Sequence, residues 1–197
     1  MILVDHQIDQ LCRGEVPWYI RLGYLFTGHW IGNPLPMVEQ YDPRLINPAS
    51  LDIRIGTTAK LRTVRNVIDG GKVCGYAPID LSSFDVENPY WLPPGDRLLV
   101  SSLETFNLPE FLCAQFRLKS SRGREWYEHM EAGFCDPQWH GSKLTMEIIN
   151  MDAEPLPFYP GLRMGQLIFS LTLGVPRKTY AQTGRYNGDK TVMESKG

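Results

Sequence analysis

Three groups of residues have the types and spacing to do chemistry. The first is Glu147 in "SKLTMEIIN" (142–150), where Leu144, Met146 and Ile148 alternate with Thr145, Glu147 and Ile149. That period of two reads as a strand, and a carboxylate in so apolar a run is either an exposed residue on a half-wet strand or a reactive group held in a dry pocket. The second is "KSSRGR" (119–124), in which Lys119, Ser120, Ser121 and two guanidinium groups crowd into one turn. Arginine forks and a lysine point charge suit phosphate, although a solvated basic turn has the same composition. The third is Asp136 in the turn-rich "AGFCDPQWHG". Two carboxylates and several cations within about thirty residues fit a nucleotide triphosphate site. "HME" (129–131) matches half of a zinc nucleobase-deaminase signature, but the P-C-x-x-C half is missing, so zinc is not expected.

The elements that must position these groups are mostly strands. The runs "LDIRI", "RLLVSSL", "FLCAQFRL", "KLTMEII" and "QLIFSLTL" are short and alternating, and fifteen Pro and eighteen Gly break the chain between them. Such punctuation indicates an all-β sandwich or barrel. In "GQLIFSLTL" the alternation puts Leu167, Phe169, Leu171 and Leu173 on one face. Helix is expected only at the start, where Asp5 serves as N-cap and Ile8, Leu11 and Cys12 recur at helical spacing before Gly14. The stretch 17–38 is aromatic and rich in Gly and Pro, without clear period, and reads as an ordered insertion or a subunit-contact loop in preference to a lipid- or ligand-contacting flap. The polar tail, 180–197, is expected to be mobile.

Composition bounds the rest. At 197 residues, 43% hydrophobic and 21% charged, the chain is expected to form one domain over 1–197. A net charge of −2 argues against a nucleic-acid or anionic-membrane binder. No apolar run reaches membrane-spanning length, and "MILVDHQIDQ" is no signal peptide, so a cytoplasmic protein is expected. Cys12, Cys74, Cys113 and Cys135 are dispersed without a C-x-x-C pair and read as free thiols.

The order of "YDPRLINPASLDIRIG", "LPEFLCAQFRLKSSRGR", "AGFCDPQWHGSKLTMEIIN", "YPGLRMGQLIF" and "GRYNGDK" resembles the dCTP deaminase family of the trimeric dUTPase-like superfamily. The resemblance implies a mainly β fold, a distorted jelly-roll-like β-barrel (dUTPase-like) with a short N-terminal helix and a tail that closes the site. It also implies a homotrimer with active sites between subunits and a deoxycytidine nucleotide as substrate. It identifies Glu147 as the catalytic carboxylate of a metal-free hydrolytic deamination of dCTP to dUTP and ammonia, supplying the dUMP and dTTP pathway. By the same likeness Ser120 and Arg124 hold the water and the reacting centre, and Asp136 stands where a dUTPase activates water. Lys119, Ser121, Gln166, Tyr180, Arg185 and Tyr186 fall on substrate-binding positions, and the backbone at Ala132 and Gly133 on the base-reading one. Mg²⁺ is expected with the triphosphate and no zinc. "AGFCD" resembles bifunctional members that also release diphosphate to give dUMP. The alternatives are a dUTP pyrophosphatase using Asp136 and a non-catalytic nucleotide-binding regulator. The chain departs from the family pattern at Arg122 (a usual Leu), Glu131 (a usual Thr), Gln138 (a usual Gly) and Asp189 (a usual Gln), and Ser142 adds a residue before the catalytic strand.

Overall fold

The computed structural model describes residues 1–32, 34–66 and 72–196, and within 64–66 and 72–74 only the backbone. Its helices are α1 (Asp5–Cys12), α2 (Trp18–Leu25), α3 (Ser120–Arg124) and α4 (Tyr180–Thr183). The strands are β1 (Val38–Glu39), β2 (Ile46–Asn47), β3 (Ser50–Asn66), β4 (Lys72–Asp80), β5 (Tyr90–Leu92) and β6 (Arg97–Asn107), followed by β7 (Leu112–Leu118), β8 (Tyr127–His129), β9 (Phe134–Cys135), β10 (His140–Asn150), β11 (Leu156–Phe158) and β12 (Arg163–Leu171). Ten of them form one curled sheet in the order β8-β10-β6-β3-β12-β7-β9, with β1 on β6 and both β2 and β4 on β3; β5 and β11 pair separately.

Strand β3 joins the two halves of the curl. Its first residues, Leu51 to Arg54, pair with β12, whereas Ala59 to Leu61 pair with β6. The register shifts between Ile55 and Ala59, and an irregularity there bends a strand. Gly56 sits in that shift because a Cβ would lie 2.5 Å from Ser102 O and 2.8 Å from Ser101 Oγ. The core fills the curl with Ile53, Ile55, Val100, Phe106, Met146, Ile148, Leu167 and Phe169, all buried.

Four expectations are corrected. Helix α1 forms where expected and buries Ile8, Leu11 and Cys12, but Val4 is its N-cap and Asp5 its first residue; the Asp5 carboxylate accepts from the His6 N–H next to it. The 17–38 stretch contains α2 rather than loop alone. Its buried side carries Ile20 and Tyr24, and the Tyr24 hydroxyl donates to Thr172 O, pinning the helix to the barrel. Trp18, Leu22, Leu25 and Phe26 stay exposed, and an apolar residue on every side hides the helical period. Strand β12 ends at Leu171, leaving Leu173 exposed in a turn. The tail, expected to be mobile, is laid against the sheet with Val192 buried.

Cys12 and Cys135 are buried free thiols and Cys113 is half-buried; the Cys74 side chain lies outside the described residues. Among the described residues no helix is long and apolar enough to cross a membrane.

The β3 bend predicts a contrast between two glycines. Gly56→Ala drives a Cβ into the backbone of a central strand and should cost about 1–3 kcal/mol. Gly23→Ala, on α2 with nothing within 4 Å of the added carbon, should stabilise by about 0.4–1 kcal/mol. Urea unfolding of both variants reads the difference.

Candidate active site

Strand β10 alternates as its sequence implies. Leu144, Met146 and Ile148 point into the core, while Thr145, Glu147 and Ile149 share a half-open face. The Glu147 side chain is 30% exposed, which places it in the wall of a cavity rather than in solvent or in the core. That cavity has a volume of about 420 Å³, and Ala132, Asp136, Glu147, Tyr180 and Tyr186 line it together. Phe134 and Trp139 add aromatic surface; Trp139 stacks on Phe106 at 5.5 Å between ring centroids.

Gly133 lies buried beside this wall and donates no side chain to it. A Cβ there would meet Phe116 Cβ at 2.6 Å, and its carbonyl accepts the Phe116 N–H at 2.8 Å. The backbone either side of Gly133 is thus held by the β7 strand. Arg185 is exposed, and its carbonyl accepts Lys196 Nζ at 2.7 Å.

The remaining expected residues lie outside the cavity. Ser120, Ser121 and Arg124 occupy the short α3, none of them buried. Lys119 Nζ bonds both oxygens of buried Asp52 at 2.7 and 2.6 Å, and Arg163 comes within 3.7 Å of the same carboxylate. Gln166 pairs across the strands with Asp52 and Arg117, and its side-chain carbonyl accepts Ser50 Oγ at 2.9 Å. One chain therefore carries two polar centres, a cavity with Glu147 and Asp136 and a separate basic cluster built on Asp52.

The tail crosses the face that carries Glu147. Val192 N donates to Thr58 Oγ1 at 3.2 Å and Met193 N to Thr145 Oγ1 at 3.1 Å. Thr58 in turn bonds Ser101, the register partner of Thr145, so these hydroxyls form one row across β3, β6 and β10. The next row is Lys60, Leu99 and Glu147. Glu194 pairs with Lys60 at 2.8 Å and Asp189 with Lys196 at 2.9 Å. Asp189, out of place beside phosphates by sequence, has its own cation from the tail.

The structure also accounts for the other departures. Glu131 forms an ion pair with Arg117 at 2.9 Å. Arg122 lies 5.8 Å over the Tyr127 ring and bonds Glu125 at 2.6 Å, covering with its stem what an apolar side chain would cover. Gln138 has φ +65°, a left-handed conformation that explains the usual glycine. Ser142 follows a one-residue bulge, since His140 pairs with Asn107 and Ser142 with the adjacent Phe106. Its buried Oγ donates to Tyr186 O at 2.8 Å and accepts the Gly188 N–H at 2.8 Å, so the bulge anchors the tail.

Sequence reasoning missed His129. It is buried at the end of β8, opposite Ile148, with Nε2 3.3 Å from Glu147 Oε2. The Glu147 oxygen itself is buried without a hydrogen bond; the short distance is real contact but poorly aligned. The "HME" triplet was the available signal, set aside with the zinc reading. Among the described residues no three His, Cys, Asp or Glu side chains converge as metal ligands.

Comparison with known proteins places this geometry. Residues 34–172 match the family model described as dCTP deaminase-like. The "dCTP deaminase, dUMP-forming" of Methanopyrus kandleri is 30% identical over 171 residues, covering 82% of this chain and 85% of its own. That of Aquifex aeolicus is 32% identical over 159 residues, covering 81% and 84%. The crystal structure of 2'-deoxycytidine 5'-triphosphate deaminase from Agrobacterium tumefaciens superposes with a TM-score of 0.55 at 24% identity, over 87% of this chain. The chain spans 48%, about half, of that longer one, and the likeness shows a shared fold. Fold and sequence agree, and the chain belongs to the dCTP deaminase-like family.

Proposed function

We propose that this protein hydrolyses dCTP to dUMP, ammonia and diphosphate in the cytoplasm, with Glu147 serving the deamination and Asp136 the diphosphate release. The observation that carries the reading is that both carboxylates line one cavity with the aromatic Tyr180 and Tyr186. The curated relatives carry names for that overall reaction. In the first step a water oxygen attacks C4 of the cytosine while Glu147 takes a water proton. The two protons of that water end on N3 and on the departing amine, so the C4–N4 bond breaks, a carbonyl forms and the carboxylate is regenerated. In the second step another water gives a proton to Asp136 and its oxygen bonds to the α-phosphorus, while the bond from that phosphorus to the bridging oxygen breaks and diphosphate leaves with the electron pair.

The backbone around Ala132 and Gly133, fixed under Phe116, would read the pyrimidine edge. Proton transfer of this kind needs no bound metal, and Mg²⁺ enters with the substrate as the counterion of its phosphates. The basic cluster of Lys119, Ser120, Ser121, Arg124 and Gln166 lies on the same chain but outside the cavity. That separation supports a homotrimer in which one copy supplies Glu147, Asp136 and the tail and another supplies the cations. Lys119 would then exchange its Asp52 partner for phosphate oxygens.

One chromatographic assay with dCTP, dCMP and dUTP plus Mg²⁺ tests the reading. dCTP should yield dUMP and dCMP should persist; turnover of dUTP alone would sink it. Glu147→Gln should slow deamination by about 10²–10⁴-fold, and Asp136→Asn should let dUTP accumulate from dCTP. Enzyme stripped with a zinc chelator and resupplied with Mg²⁺ should keep its full rate, whereas recovery only on adding zinc would overturn the metal-free step. Mixing inactive Glu147→Gln with inactive Arg124→Ala chains should restore activity. No recovery in mixed oligomers would show that each site belongs to one chain.

A further inference from the structure

His129 is held from three sides. Its side chain is 3% exposed, its ring lies 4.6 Å from that of Phe116, tilted by 59°, and the Glu131 N–H donates to Nδ1 at 3.0 Å. A backbone N–H only donates, so Nδ1 must carry the lone pair, and the single proton of the neutral imidazole sits on Nε2. That N–H faces Glu147 Oε2 at 3.3 Å, the buried oxygen that takes no hydrogen bond. A carboxylate oxygen buried without a donor is costly, and contacts of this kind in an empty site tighten when substrate is bound. Glu131 itself is left-handed, with φ +58°, and its N–H closes on the ring two residues earlier.

We propose that His129 is a positioning residue for Glu147, locked as the Nε2–H tautomer by the Glu131 backbone. It anchors Oε2 and leaves Oε1 as the oxygen that exchanges protons with water and base. The inference rests on the reading of Glu147 as the proton shuttle. It assigns the imidazole no proton transfer of its own, so the reaction balance above is unchanged. The turn at Glu131 thereby joins the backbone next to the base to the orientation of the carboxylate, through one side chain.

Two variants separate this role from simple packing. Asn at 129 can still accept the Glu131 N–H but cannot reach Glu147; Gln can place an amide N–H near the position of Nε2. His129→Asn should lower kcat on dCTP by about tenfold to a hundredfold while leaving KM within about threefold, because the lost contact acts on the reacting group rather than on nucleotide affinity. His129→Gln should recover most of that kcat. In the unmodified protein, ¹⁵N-detected NMR of the histidine rings should find residue 129 as the Nε2–H tautomer. The proposal is overturned if the ring is the Nδ1–H tautomer, or if His129→Asn loses thermal stability yet keeps its kcat per folded enzyme within about twofold. It is also overturned if Gln and Asn are equally impaired. Glu147→Gln, assayed beside them, is diagnostic of the underlying reading: normal deamination by that variant removes the shuttle itself, whereas a dead Glu147→Gln with a fully active His129→Asn removes only the positioning role.

Discussion

The ring of Phe116 sets the geometry on which the rest of the site depends. It fills space that two glycines leave open. A Cβ on Gly165 would fall 2.1 Å from its Cζ, and one on Gly133 would fall 2.6 Å from its Cβ. Interiors packed to crystal density have no slack for either carbon. One side of Phe116 therefore fixes strand β12, and another fixes the backbone that precedes Asp136. Its edge packs on His129, which stands beside Glu147. Glu147 and Asp136 are in this way referred to one buried aromatic side chain, although they come from different elements.

Electrostatics pull the other way. Asp136, Glu147, Asp189 and Glu194 all line the cavity, and the only ammonium among the described lining residues is Lys143. Burial pushes the pKa of Lys143 downward, and the nearby Lys190 adds to the shift, while Glu104 opposes it. Four carboxylates facing a polyphosphate would repel it unless cations arrive from elsewhere. Asp189 and Glu194 pair with Lys196 and Lys60, and Arg62 and Arg97 line the adjoining pocket at Glu147. The basic cluster on Asp52 lies outside this cavity.

Much of this was legible from residue order, for reasons that differ by element. The β10 face assignment followed from period two alone, because one side of that strand packs on the core and the other does not. Asp136 and Glu147 lining one cavity followed from the family likeness; no spacing rule brings a turn and a strand together across the fold. Helix α2 was hidden because its exposed side is as apolar as its buried one. The end of β12 was overshot because Leu173 continues the alternation that the chain itself abandons at Leu171. His129 was invisible because its role depends on the β8–β10 pairing that sets it beside Glu147 and on a backbone N–H two residues later, neither of which the residue order announces.

The tail shows how such a miss changes a physical account. Polar, charged and glycine-containing, it has the composition of a free end, yet its hold on the sheet comes from ordinary means. Val192 is buried, two threonine hydroxyls take the backbone N–H groups of Val192 and Met193, and the Ser142 bulge binds the carbonyl of Tyr186 and the N–H of Gly188. Each anchor lies on the strand that carries Glu147 or in the row next to it. The bulge at Ser142 thus fixes the segment that lines the cavity beside Glu147. A second register shift, between Lys143 and Thr145, separates the bulge from Glu147. On the other edge of β10, β8 brings His129 alongside Glu147.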